Sequence, residues 1–297
     1  MRPISLTSCT LKLLEKLIKI RLERHIELEL ILPNSQYGFR SGRSCGHCLA
    51  LCVLNLEIYR AFSRKHVTGA IFLNIDSAYD KVDLCSLFHT INSLNIPSGY
   101  KSFLRNFLNP RSVKFYESGT LLTQRRVDIG LPQGSVLSPL LFNLFVKDIL
   151  QYIPHNCFSI QFADDFAVLS SGPDPARILN NLSRTFLSIS DWLSSIGLTL
   201  STAKTQVIVF NRLRNITIPD HIKLNFIPVK LSSTIKLDLT LDISLRWKPH
   251  LNAIENRSKQ YINVLKWMAG PSWGISPGEA CYFINATIGA QMLWGSL

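Results

Sequence analysis

Three short segments of this 297-residue chain combine residue types and spacings that packing alone does not explain. The first, Phe162-Ala163-Asp164-Asp165, sets adjacent carboxylates between two apolar, β-forming runs, 159–163 and 166–169. A two-residue connection between such runs is hairpin-like and puts Asp164 and Asp165 at an exposed tip. Neighbouring carboxylates repel, and a divalent cation reverses that penalty. Oxygen donors of this kind suit Mg²⁺, which is usually held by one or two carboxylates together with substrate phosphates. In isolation a solvated Asp-Asp turn reads the same way, so the other two segments decide.

The second segment runs from Phe72 to Asp80, a β-forming run leading into acidic residues, where the two-residue period of a strand puts Asn74 and Asp76 on one face. The third, Gly130-Leu131-Pro132-Gln133-Gly134-Ser135, is a rigid Gly/Pro loop feeding an apolar helix expected over 140–150.

The elements that must position these residues are of both kinds. Leu11, Leu14, Ile18 and Leu22 recur at helical spacing over 10–29, and Ile178, Leu182, Phe186, Ile189, Leu193 and Ile196 do so again. Strands are expected at 69–75, 159–163, 166–169 and 205–210, a basic hairpin near 230–243 and a helix over 249–267. The class is mixed α and β, with neither a repeat nor a low-complexity linker to divide the chain.

Apolar residues make up 46% of the chain, and 16 Phe, 8 Tyr and 5 Trp exclude a disordered composition. No stretch offers the ~20 predominantly apolar residues of a membrane span, and no secretory signal is visible. Seven scattered cysteines fit reduced thiols in an intracellular protein. Cys45, His47, Cys48 and Cys52 form the one local cluster open to a zinc reading, against small buried thiols on a helix; a second pair of ligands is missing. The net charge of +12 is unevenly spread: residues 1–66 and 171–297 each carry +6, while 67–170 balance to zero. Two basic flanks around a neutral centre suit a polyanionic partner, because Lys and Arg neutralise phosphates.

The order of these segments resembles the reverse transcriptase domain of non-LTR (LINE-type, Jockey-like) retrotransposons. Arg2-Pro3-Ile4-Ser5-Leu6 is similar to the opening fingers motif, with Lys12, Glu15 and Lys16 in the following helix. The block 36–44 (Gln36-Tyr37-Gly38-Phe39-Arg40 onward) matches the next motif, 72–82 the first palm motif and 130–142 the Gly-x-Pro-Gln-Gly-Ser block. Phe162 to Asp165 matches the metal-binding hairpin, 198–205 the lysine-bearing motif, and 239–250 the start of the thumb side.

The resemblance implies an α+β right-hand polymerase fold: fingers over about 1–69, an antiparallel-sheet palm over about 70–215 with a fingers insertion, and a helical thumb. The reverse transcriptase domain would span 1–245 and an incomplete thumb or connection region 246–297. It implies an RNA-directed DNA polymerase that uses two Mg²⁺ or Mn²⁺ ions held by Asp164 and Asp165, with RNA template, DNA primer and deoxynucleoside triphosphates as partners and no membrane. Arg2 would contact the triphosphate, Tyr79 exclude a 2′-hydroxyl, Gln133 and Gly134 line the nascent base pair, and Lys204 protonate the leaving pyrophosphate.

The chain departs from the pattern at Asn74, where the family carries an aspartate that holds both metals. Asp76 lies ~6.6–6.8 Å further along a strand, too far to substitute without a register shift. Ile235-Lys236-Leu237-Asp238 replaces a Tyr-Leu-Gly segment, and neither upstream fingers residues nor an endonuclease segment is visible. The expectation is a shortened copy with impaired activity, or a non-catalytic nucleic-acid-binding remnant; Asn74 separates the two.

Overall fold

The computed structural model describes residues 5, 8–40, 46–108, 111–162, 164–214, 216–236, 239–270 and 273–293, without the side chains of 46–53, 113 and 293. In chain order the elements are α1 (Cys9–Leu28), α2 (Gly46–Ser63), β1 (Val67–Asn74), α3 (Leu84–Ser93), α4 (Ser98–Leu108), β2 (Arg111–Glu117), β3 (Thr120–Val127) and α5 (Ser138–Phe145). A 3₁₀ turn (Lys147–Tyr152) leads to β4 (Cys157–Phe162), β5 (Asp165–Gly172), α6 (Pro175–Ser195) and β6 (Gln206–Phe210). The short strands β7 (His221–Leu224), β8 (Ile227–Lys230), β9 (Thr234–Lys236) and β10 (Thr240–Asp242) precede α7 (Lys248–Met268) and α8 (Pro277–Ile284).

The central sheet has the order β4-β5-β1-β6 and is antiparallel throughout. Strand alternation gives it two apolar faces. Ile71, Leu73, Phe166, Val168, Val207 and Val209 pack on α6 and the other helices of the larger core. Ala70, Ile160, Ala167, Ile208 and Phe210 face a smaller core shared with α2, β9 and β10. Helix α6 starts where Asp174 accepts from the Ala176 N–H and Pro175 takes the first helical position. It buries Ile178, Leu182, Phe186, Ile189 and Leu193, the stripe expected from the sequence. Each such side chain contributes about 1.5–3 kcal/mol of burial.

The block 36–40 fastens the first helix to the sheet. Gln36 Nε2 donates to Asn143 Oδ1 (2.5 Å), Asn143 Nδ2 donates to the Gly38 carbonyl (2.8 Å), and buried Arg40 makes a two-pronged contact with Glu27. Beside them the Tyr37 N–H donates to the Gln161 carbonyl and the Gln161 N–H to the Ser35 carbonyl, so residues 35–37 run alongside β4.

Three local expectations are corrected. The helix expected over 140–150 is two pieces, because Val146 leaves helical geometry (φ −99°, ψ 9°) and the chain tightens into the 3₁₀ turn. The tip of the acidic hairpin does not include Asp165, since Phe162 pairs with Asp165 and makes Asp165 a strand residue. The basic hairpin near 230–243 is reduced to β9 and β10, and a separate one, β7–β8, precedes it. Of the zinc cluster, Cys45 and the side chains of His47, Cys48 and Cys52 lie outside the described residues. No helix among the described residues is long and apolar enough to cross a membrane.

Candidate active site

Strand β1 ends at Asn74, and antiparallel register sets Asn74 directly opposite Asp165 of β5. Cross-strand partners share a face. Beyond Asn74 the chain keeps pairing: the Ser201 N–H donates to the Asn74 carbonyl, Ile75 bridges Leu200, and the Asp76 N–H donates to the Thr199 carbonyl. These bonds fix the end of β1 against the segment that carries Lys204, whose own turn closes on the Ser201 carbonyl.

Around this corner lies a cleft of about 460 Å³ lined by Asn74, Asp76, Tyr79, Gln133, Gly134, Asp164 and Lys204. A smaller hollow of about 150 Å³ on the sheet is lined by Asp165 and by apolar residues such as Phe72 and Ala167. Asn74 and Lys204 border both. Seven residues singled out from sequence thus meet in one cleft, with Asp165 next door, and Arg2 lies outside the described residues.

Tyr79 stacks on buried Phe142 (ring centroids 5.2 Å apart, planes 25° apart), and its carbonyl accepts from the Leu131 N–H at 2.7 Å. Burial pushes the Tyr79 phenol well above its ordinary value, and the Asp164 carboxylate adds to the rise. The two groups therefore sense each other across the cleft. Gln133 Nε2 donates to Asp80 Oδ1 at 2.7 Å, which sets its side chain. Gly134 has φ +98°, in the region that favours glycine.

Asp76 is committed elsewhere. Lys81 Nζ donates to its Oδ2 at 2.8 Å and also reaches Thr199 Oγ1 at 3.1 Å. That hydrogen bond first, then the Lys81 charge, holds the Asp76 carboxyl below the usual carboxylate range.

One residue named in the sequence only as part of the helix after the opening motif turns out to shape the site. Glu15 of α1 is fully buried, and its Oε2 accepts from Ser135 Oγ (2.5 Å), the Val136 N–H (2.7 Å) and the Leu137 N–H (3.4 Å). A single carboxylate thereby ties the first helix to the loop presenting Gln133 and Gly134. The available signal was its place on the apolar stripe of Leu11, Ile18 and Leu22, where a charge is out of keeping.

The donors suited to a divalent ion are the carboxylates of Asp164 and Asp165 and the amide oxygen of Asn74. Among the described residues no group of three or more His, Cys, Asp or Glu is placed to hold a metal. Asp164 with Asn74 at the cleft fits one Mg²⁺ whose remaining positions go to phosphate and water. Asn74 is neutral, so the donor set carries two carboxylates, Asp164 and Asp165, and one amide oxygen.

The family model described as reverse transcriptase (RNA-dependent DNA polymerase) matches residues 1–261. The chain is 30% identical over 276 residues to the probable RNA-directed DNA polymerase from transposon BS of Drosophila melanogaster, covering 90% of this chain and 30% of that protein. It is 25% identical to the RNA-directed DNA polymerase from mobile element jockey of Drosophila melanogaster, over 99% of this chain and 32% of that one. It thus spans about a third of the length of these curated relatives. The fold is similar to that of apo telomerase from Candida tropicalis truncated from its C-terminal domain (TM-score 0.54, 13% identity, 80% of this chain and 44% of the other). Because that family model takes in most of its length, the chain belongs to the reverse transcriptase family, and within it the chain is similar to RNA-directed DNA polymerases of transposable elements.

Proposed function

We propose that this chain is the nucleotidyl-transfer module of a retrotransposon RNA-directed DNA polymerase, and that its chemistry is impaired at Asn74. The observation that carries the reading is the register of Asn74 against Asp165, with Asp164, Tyr79, Gln133, Gly134 and Lys204 around the same cleft. In the reaction a primer 3′-hydroxyl forms a bond to the α-phosphorus of a deoxynucleoside triphosphate as the bond to pyrophosphate breaks. A divalent ion held by Asp164 would neutralise charge on the triphosphate and acidify the attacking hydroxyl.

The chain's own residues do the rest. Tyr79, held by Phe142, presents an aromatic wall where a ribose 2′-hydroxyl would stand. Gln133 and Gly134 support the nascent base pair, Gln133 steadied by Asp80. Lys204, exposed at the cleft rim, carries a proton on Nζ for the departing pyrophosphate. Asp164 and Asp165 gather the positive charge that Asn74 cannot balance. Template and primer are RNA and DNA, gripped by basic surfaces.

A second reading, a nucleic-acid-binding remnant without chemistry, is favoured by the same residue, Asn74. Primer extension on a polyribonucleotide template with Mg²⁺ or Mn²⁺, beside an Asp164→Ala/Asp165→Ala control, tests both. Extension above the control supports the impaired polymerase; equal background with intact, salt-sensitive duplex binding leaves the remnant. Absence of duplex binding at low salt overturns both.

A further inference from the structure

The charge balance of the central segment hides a concentrated basic surface. Half of its eight Lys/Arg, namely Arg111, Lys114, Arg125 and Arg126, fall on the β2–β3 ribbon, which carries one acid, Glu117. Every side chain described from Ser112 to Arg126 is solvent-exposed, including Phe115, Tyr116, Leu121 and Leu122. Ser118 and Gly119, both at positive φ (48° and 85°), close the ribbon in the turn geometry that matches strand twist. Seven paired residues carry it roughly 24 Å.

The ribbon is rooted on the cleft. Arg111 Nε donates to the Leu108 carbonyl at 3.0 Å, and its Nη2 reaches the Ile129 and Gly130 carbonyls. Gly130 itself donates to the Val82 carbonyl, and a Cβ there would come within 2.7 Å of the Asp80 carbonyl oxygen. Three residues later comes Gln133 of the cleft wall. The ribbon therefore stands at a fixed angle beside the cleft.

Register sorts its side chains. Ser112 pairs with Arg126 and Lys114 with Gln124, and a bulge then shifts the register so that Tyr116 pairs with Leu121; the two-residue period of β2 keeps Tyr116 on the face of Lys114, which also shows Gln124 and Arg126. Gln124 Nε2 donates to Ser112 Oγ (3.2 Å), and Arg126 is ion-paired with Asp128 at the root. Cations flanking an exposed ring are what a single polynucleotide strand takes: phosphates on the charges, a base on the ring. We propose that this face of the β2–β3 ribbon binds the unpaired strand of a primer–template beside the cleft. The proposal rests on the polymerase reading for that strand's identity as template.

The test uses the full chain with a blunt RNA–DNA duplex and the same duplex carrying a single-stranded 5′ RNA extension, titrated by anisotropy across salt. The unaltered protein should prefer the extended duplex. Tyr116→Ala should lower that preference about tenfold. Lys114→Ala/Arg126→Ala should lower the salt slope for the extended duplex by about 1.4. Blunt-duplex affinity should stay unchanged in both variants, and melting should show both folded. Retained blunt-duplex binding with no preference for the extension, or with a preference indifferent to both variants, overturns the ribbon assignment alone. So does a change in sedimentation with no change in that preference, which would make the face a protein contact. Absence of binding to either duplex overturns the polymerase reading with it.

Discussion

Glu15 Oε2 lies 2.5 Å from Ser135 Oγ, joining the first helix to a loop 120 residues later. The same oxygen takes the Val136 N–H, so removing the carboxylate strands a buried hydroxyl and a backbone donor together. Each unsatisfied group costs about 1–3 kcal/mol. Glu15→Ala should therefore destabilise the protein by about 3 kcal/mol in denaturant unfolding. Glu15→Gln, which keeps an acceptor oxygen, should lose less. Equal stability of both variants to the parent would show that the contact stabilises nothing.

Restoring a carboxylate at Asn74 should change two things in opposite directions. In metal-free buffer Asn74→Asp faces Asp165 across the strand pair, and like charges directly opposite cost about 0.2–1 kcal/mol. With Mg²⁺ the melting temperature should recover and pass that of the parent, and primer extension should rise by at least ~10²-fold, on the scale of one key transition-state contact. Asp76→Ala, which removes a partner of Lys81, should leave extension by either protein within a few-fold. Loss of all extension in Asp76→Ala would place the ligand at Asp76.

Tyr79→Phe preserves the stack on Phe142 and should keep both stability and sugar selection. Tyr79→Ala removes a half-buried ring and should cost about 3 kcal/mol. In any catalytically competent background, such as Asn74→Asp, the folded Ala variant should accept ribonucleotides far better than its parent. Competition between the two triphosphates on one primer reads this directly; unchanged selection in a folded variant would refute the gate.

Asp83 begins α3 by accepting from the Ser86 N–H at 2.7 Å, and the Ser86 hydrogen bonds hold its carboxyl below the usual range. A depressed folded value means the stabilisation is complete above the unfolded value, about 3.9, and is lost as pH falls through the folded one. Asp83→Ala should cost about 1 kcal/mol at neutral pH. The gap between parent and variant should narrow on acidification from about pH 5 to pH 2. A gap constant with pH would assign the capping to another group.

Long amphipathic helices were legible because their stripes repeat over about four turns, as Ile178 to Leu193 shows. The palm strands were legible because β-forming runs end near Asn74 and Phe162 and resume after the acidic pair. The hairpin's phase was not: an apolar run has no internal mark that says which two residues turn, and only pairing of Phe162 with Asp165 settles it. The β2–β3 ribbon was invisible for the opposite reason. With both faces in water it has no alternation of apolar and polar residues to read. Asn74, Tyr79, Gln133, Gly134, Asp164 and Lys204 could be named from motifs, yet their meeting in one cleft depends on pairings among residues 74–76 and 199–201 that no local pattern encodes.

The run of residues 35–37 beside β4 has a further consequence. Strand β4 is the outer strand of the sheet, and an open outer strand recruits other chains through its unpaired backbone groups. At Gln161 both groups are already taken, one by Tyr37 and one by Ser35. The latch of Gln36 and Asn143 keeps that cover in place one residue before Phe162 and the acidic hairpin. The segment therefore covers part of an adhesive strand edge beside the spot where the carboxylates gather, and Asn143 ties that cover down through Gln36 and Gly38.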